Sequence, residues 1–155
     1  MKREFLVLIL SLFVVGACYN LWSLRAVKIV HISSNGYGVI QLVVNHMPWT
    51  DRDKIYWFLS HREKIDRQYP LFPEVWHRYY ITDFGEGFTN RKLSPHEDLK
   101  CFPEIQGDKN CIAKNYVLIV DEFPEKYPRF YLPEDDTEYQ MTPEGKIVIA
   151  PPRKV

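Results

Sequence analysis

Residues Phe5 to Leu24 form a 20-residue run without a charged side chain, preceded by Lys2 and Arg3. A helix that crosses the hydrocarbon core of a bilayer needs about 20 predominantly apolar residues, so this run is long enough to span. Its densest part, Phe5 to Ala17, is also the length of a signal-peptide apolar region. Three fates stay open at this point. The segment stays as a single-span anchor, with Tyr19 and Trp22 as the aromatic belt at the far interface. Alternatively, Val15-Gly16-Ala17 before Cys18 acts as a loose lipobox, and Cys18 becomes the lipidated first residue. In the third, the chain is cut after Ala17 and the segment is lost. Apolar character continues past the cut, which favours an anchor over residues 1–24 with Cys18 as an apolar-like thiol inside it.

Lys2 and Arg3 on one side balance Arg25 and Lys28 on the other, so positive charge does not orient the span. The cysteines do. Beyond Cys18 there are only Cys101 and Cys111, separated by a polar stretch containing Pro103 and Gly107. An even pair closing a short loop is what an oxidising compartment permits. No C-x-x-C or H-x-x-x-H spacing accompanies them, so a zinc site is not indicated. A Cys101–Cys111 disulfide is therefore expected, with Cα atoms about 4.4–6.8 Å apart. The globular part is therefore expected to lie outside the cytoplasm.

Residues 25–155 read as one domain, large enough to bury about two-thirds of its unfolded surface. Of all 155 residues, 46% are hydrophobic and 15% aromatic, which argues against disorder. Twenty basic residues against twenty acidic leave no net charge, and nucleic acid is excluded as a partner. Eleven prolines and ten tyrosines fit short elements and loops rather than a helical bundle.

Ala26 to Ile32 alternates as a strand, with Val27, Ile29 and His31 on one face. Ser33-Ser34-Asn35-Gly36 reads as a tight hairpin turn into a second strand, Tyr37 to Asn45, stopped by Pro48. Thr50 is placed to cap a helix over Asp51–Gln68, with Asp51 and Asp53 in its first turn and Pro70 beyond its end. Ile55, Phe58, Leu59 and Ile65 form its apolar stripe, opposite a solvated side carrying Lys54, His61, Arg62, Lys64 and Arg67. Further strands are expected at Val75–Phe84, Tyr116–Val120, Arg129–Leu132, Glu138–Met141 and Lys146–Ala150, the last two joined by a turn at Pro143–Gly145. The fold class is α+β: an N-terminal transmembrane helix, then a small, mainly antiparallel sheet with one principal helix and a disulfide-stapled loop.

Chemistry is harder to find. His31, His46, His61, His77 and His96 are scattered and lie in no nucleophile or metal motif. Asp83-Phe84-Gly85 spells a kinase triplet without the rest of a kinase, and Gly85-Glu86-Gly87 lacks the dinucleotide setting. Glu134-Asp135-Asp136 lacks the twelve-residue calcium-loop pattern. No catalytic, cofactor-binding or metal residues are assigned, and the chain is not expected to be an enzyme. The remaining signal is aromatic. Tyr69, Leu71, Phe72, Trp76, Tyr79 and Tyr80 cluster in sequence, as core or as binding surface.

Several segments taken in order also carry a resemblance. Leu24 to Val30, Pro48 to Trp57, Asp83 to Phe88, Leu99 to Phe102 and Asn110 to Ile112 together resemble the enterobacterial putative membrane proteins grouped as domain-of-unknown-function family 943. The resemblance covers nearly the whole chain. It implies a single N-terminal span in the bacterial inner membrane, a small C-terminal domain in the periplasm holding both cysteines, and no assigned activity. By analogy it makes the sharpest function a non-enzymatic binding module with an immunity-like role, its protein partner a delivered toxin domain. The alternative is a structural or small-ligand-binding envelope protein, lipid-anchored through Cys18.

Overall fold

The computed structural model describes residues 2–23 and 25–152. Leu24, where the anchor was expected to end, and residues 153–155 lie outside the described residues. The chain runs α1 (Lys2–Ser23), β1 (Ile29–Ser34), β2 (Val39–Val44), α2 (Asp51–Gln68), β3 (His77–Asp83), β4 (Leu99–Cys101), β5 (Cys111–Ala113), β6 (Tyr116–Phe123), β7 (Lys126–Leu132), β8 (Thr137–Met141) and β9 (Ile147–Ile149). Helix α1 is long and apolar enough to cross a membrane, and the protein buries almost none of it. A helix that is apolar all round and uncovered by protein has the character of a membrane span.

Helix α2 has the bounds its sequence signals. The Thr50 hydroxyl accepts from the Asp53 amide at 3.2 Å, and the Tyr69 amide closes the other end on the Ile65 carbonyl. Ile55, Phe58 and Ile65 are fully or almost fully buried. The opposite side is less solvated than its charges suggest. Lys54 is buried, with its ammonium 3.4 Å from Glu134, and Arg62 binds Glu122 of β6.

The main sheet has seven strands in the order β1-β2-β3-β6-β7-β8-β9. All neighbours are antiparallel except β2 and β3, which pair in parallel from Val39–Arg78 to Val44–Asp83. A parallel pair needs a crossover, and the 18-residue α2 supplies it. One face of the sheet presents Ile40, Leu42, Tyr79, Ile81, Leu118, Val120, Phe130 and Leu132 to α2, all with no exposed surface. Burying one such side chain contributes about 1.5–3 kcal/mol, so this layer dominates stability.

Two local details differ from the sequence reading. Ser33 and Ser34 stay in β1, and the hairpin is closed by a four-residue connection in which the Asn35 side chain accepts from the amides of Tyr37, Gly38 and Val39. The register also shifts between Ile29 and His31, so Ile29 faces the main core while the His31 ring turns to Phe102 on the other side.

The cysteines close the expected loop, residues 102–110, and each stands at the end of a short strand. Strands β4 and β5 pair antiparallel with Cys101 opposite Cys111, and the two form a disulfide. The Cα atoms stand 3.9 Å apart, below the expected 4.4–6.8 Å range. The reason is the pairing. The amide and carbonyl of Cys111 are both taken by Thr89, so toward Cys101 it is a non-hydrogen-bonded pair, where strands approach most closely. Phe102 and Ile112 are buried with Val43 in a second core.

Candidate partner-binding face

Strand alternation places Tyr79 and Ile81 of β3 against α2 and turns Arg78 and Tyr80 to the opposite face. The register then carries two rows across neighbouring strands. One runs Arg78, Asp121, Arg129, Gln140, and the other Tyr80, Ile119, Tyr131, Glu138. The small sheet meets this side of the main sheet near Val43. Beyond it the two rows, apart from the buried Asp121, are half-buried rather than covered.

Arg78 organises the first row. Its guanidinium forks onto the Asp121 carboxylate at 2.6 and 2.9 Å, and its carbon centre lies 4.5 Å from the Trp76 ring centroid. The Asp121 hydrogen bonds raise its pKa further, so it is charged at every pH at which the protein folds. A bidentate pair of this kind fixes orientation as well as charge. Tyr80 packs on Tyr116 with ring centroids 5.0 Å apart. Arg129 donates to Glu138 at 3.0 Å, and the Tyr131 hydroxyl donates to Asp136 at 2.8 Å. The result is a plate of aromatic rings and alternating charges whose side chains are held by one another. Tyr, Trp and Arg are the residue types that carry binding energy in protein interfaces. Side chains already fixed lose little rotamer freedom on binding.

The sequence cluster of aromatics is divided by the fold. Tyr79 is in the core, edge-on to Phe58, and Tyr69 and Leu71 pack against that core. Phe72 is exposed beside Tyr37. Only Trp76 and Tyr80 reach the plate. Arg78, Tyr116, Arg129 and Tyr131 were missed, although the inside-outside alternation of β3 was readable in His77–Asp83 and points Arg78 outward.

A second polar cluster lies on the α2 side. The Tyr79 hydroxyl donates to Asp66 at 2.6 Å, and Arg62 holds Glu122, with His77 3.9 Å from the same carboxylate. Burial, aided by Asp66, pushes the Tyr79 pKa up. Arg62, His77 and Glu122 border an open cleft of about 420 Å³ with Leu59 and Lys126. These groups tie α2 to β3 and β6. Among the described residues, no three His, Cys, Asp or Glu side chains are grouped to hold a metal. Asp83-Phe84-Gly85 is a strand end whose Asp83 carboxylate accepts the Gly85 amide. Glu134 and Asp136 of the acidic turn contact Lys54 and Tyr131. Cys18 is a free, exposed thiol on α1.

An exposed apolar helix leading into a disulfide-bonded α+β fold defines a small protein with one candidate membrane span among the described residues. The chain belongs to the enterobacterial putative membrane protein family (DUF943), which matches residues 2–150. No curated protein and no solved structure matches it.

Proposed function

We propose that the chain is a single-pass inner-membrane protein whose periplasmic domain is a non-enzymatic protein-binding module, with the Arg78–Tyr131 plate as its contact surface. The plate carries the reading: Trp76, Arg78, Tyr80, Tyr116, Arg129 and Tyr131 are brought to one sheet face that no helix covers among the described residues. The Cys101–Cys111 disulfide supports an oxidising compartment, and hence the periplasm. In its sharpest form the partner is a delivered toxin domain, and the protein confers immunity by occupying it. A binding role of this kind asks for no catalytic group, and the charges of the plate are paired with one another. The small-ligand alternative gains less support, because the described clefts, of about 410 to 530 Å³, are open to solvent rather than enclosed.

The test is a photo-crosslinkable residue at Tyr80 or Tyr131, introduced into the full chain in living cells. A discrete adduct from these positions, and none from the exposed Glu125, supports the plate. Equal labelling from all three positions, or no adduct from cells that carry the cognate toxin, contradicts it.

A further inference from the structure

The junction between α1 and the domain is a built contact. Tyr19, in the last turns of α1, donates its hydroxyl to Asp53 at 3.0 Å and packs edge-on to Trp49 with centroids 5.4 Å apart. Ser23, fully buried at the helix end, accepts the Trp49 amide at 2.9 Å. These contacts hold the turn before α2, and the first turn of α2 itself, directly on the anchor.

Length then sets where that turn lies. At 1.5 Å per residue, the uncharged helical run from Phe5 to Ser23 covers about 28 Å, close to the thickness of the hydrocarbon core. Tyr19 and Ser23 fall in its last five residues, so the domain is gripped within about 6 Å of the helix end and no length remains for a stalk. The headgroup layer beyond the hydrocarbon core is only about 5–7 Å deep.

The side chains that meet this layer suit it. Trp22 and Trp49 are 57% and 55% exposed, and the Arg25 guanidinium lies 4.6 Å from the Trp22 ring centroid. Tryptophan at the interface and arginine against phosphate are the side chains that headgroups favour. The two carboxylates that would oppose an anionic surface are each engaged by a tyrosine hydroxyl, Asp53 by Tyr19 and Asp51 by Tyr139. Arg52 between them is exposed.

We propose that Trp22, Arg25 and the Pro48–Arg52 turn form a membrane-surface dock, seating the domain on the phospholipid headgroups of the bilayer that α1 crosses instead of leaving it to swing on a tether. This rests on α1 being a retained span.

The full chain in vesicles of phosphatidylethanolamine and phosphatidylglycerol tests it with two single-tryptophan variants, one keeping Trp49 and one keeping Trp76, the others changed to phenylalanine. Lipids carrying a headgroup nitroxide should quench Trp49 at least about threefold more than Trp76, and aqueous iodide should do the reverse. Equal responses overturn the dock. If the multiple substitutions unfold the domain, a nitroxide on Arg52→Cys in a Cys18→Ser background reads the same depth by its collision ratio with oxygen and a soluble nickel complex. A headgroup depth supports the dock and a bulk-water value overturns it. Release of the wild-type chain by alkaline carbonate would overturn the retained span itself. Retention with a water-like Trp49 overturns only the dock.

Discussion

Replacing Cys101 with serine isolates what the disulfide contributes. The cysteines are ten residues apart, and the chain-entropy relation for a loop of that size gives about 9 cal/mol/K, or about 2.7 kcal/mol at 25 °C. For a domain of about 130 residues, with unfolding entropy near 2.1 cal/mol/K per residue, that corresponds to a fall in Tm of about 10 °C. The native layer should survive the change. Phe102 and Ile112 stay buried against Val43, and Cys111 keeps both backbone bonds to Thr89. The loss therefore comes from the freed unfolded chain, so the urea midpoint should fall, and any change in slope should be an increase, as the uncrosslinked denatured state exposes more surface. The assay is urea unfolding of the full chain in detergent micelles, with the wild type, Cys101→Ser and the double serine variant compared by near-ultraviolet circular dichroism. A loss below about 1 kcal/mol would refute the reasoning. So would three titratable thiols in the unreduced native protein, since only Cys18 should react.

Other outcomes follow from the same structure. Gly38→Ala would place a Cβ 2.6 Å from the Trp76 carbonyl oxygen, so it should destabilise by about 1–3 kcal/mol in the same denaturation assay. Burial raises the Tyr79 pKa above its unfolded value near 10, so its contribution is fully present below about pH 10 and is lost as pH rises above it. Alkaline unfolding followed by tyrosinate absorbance should therefore begin above about pH 10, and Tyr79→Phe should flatten the dependence; an unchanged profile would argue against this assignment. Intact mass of protein from membranes should show residues 1–17 present and Cys18 unmodified, whereas a chain starting at diacylated Cys18 would replace the span with a lipid anchor.

Local signals carried much of the architecture. Helix α2 could be bounded to the residue because Thr50, two aspartates and Pro70 mark its ends independently of tertiary contacts. The strands were found because Val, Ile and Tyr alternate in them, but the parallel pairing of β2 and β3 was not, since it depends on where α2 returns the chain. That helix standing between two strands was itself the available clue. The loop that the cysteines close was legible from its polar residues, but the three-residue strands flanking it show no period, and neither signal contains the close Cys101–Cys111 pairing. Its closeness comes from Thr89, which lies 22 residues before Cys111 and occupies its other edge. The plate was legible only in part. Trp76 and Tyr80 stood out by residue type, whereas Arg78, Arg129 and Tyr131 acquire their role from cross-strand register, which no local pattern encodes.

Protease treatment of intact spheroplasts tests the topology on which the periplasmic binding role depends. The account predicts that the domain beyond Arg25 is digested from outside without lysis once denaturant loosens it, leaving a protected fragment that contains α1. Full protection of the domain until the inner membrane is broken would place it in the cytoplasm and contradict the account.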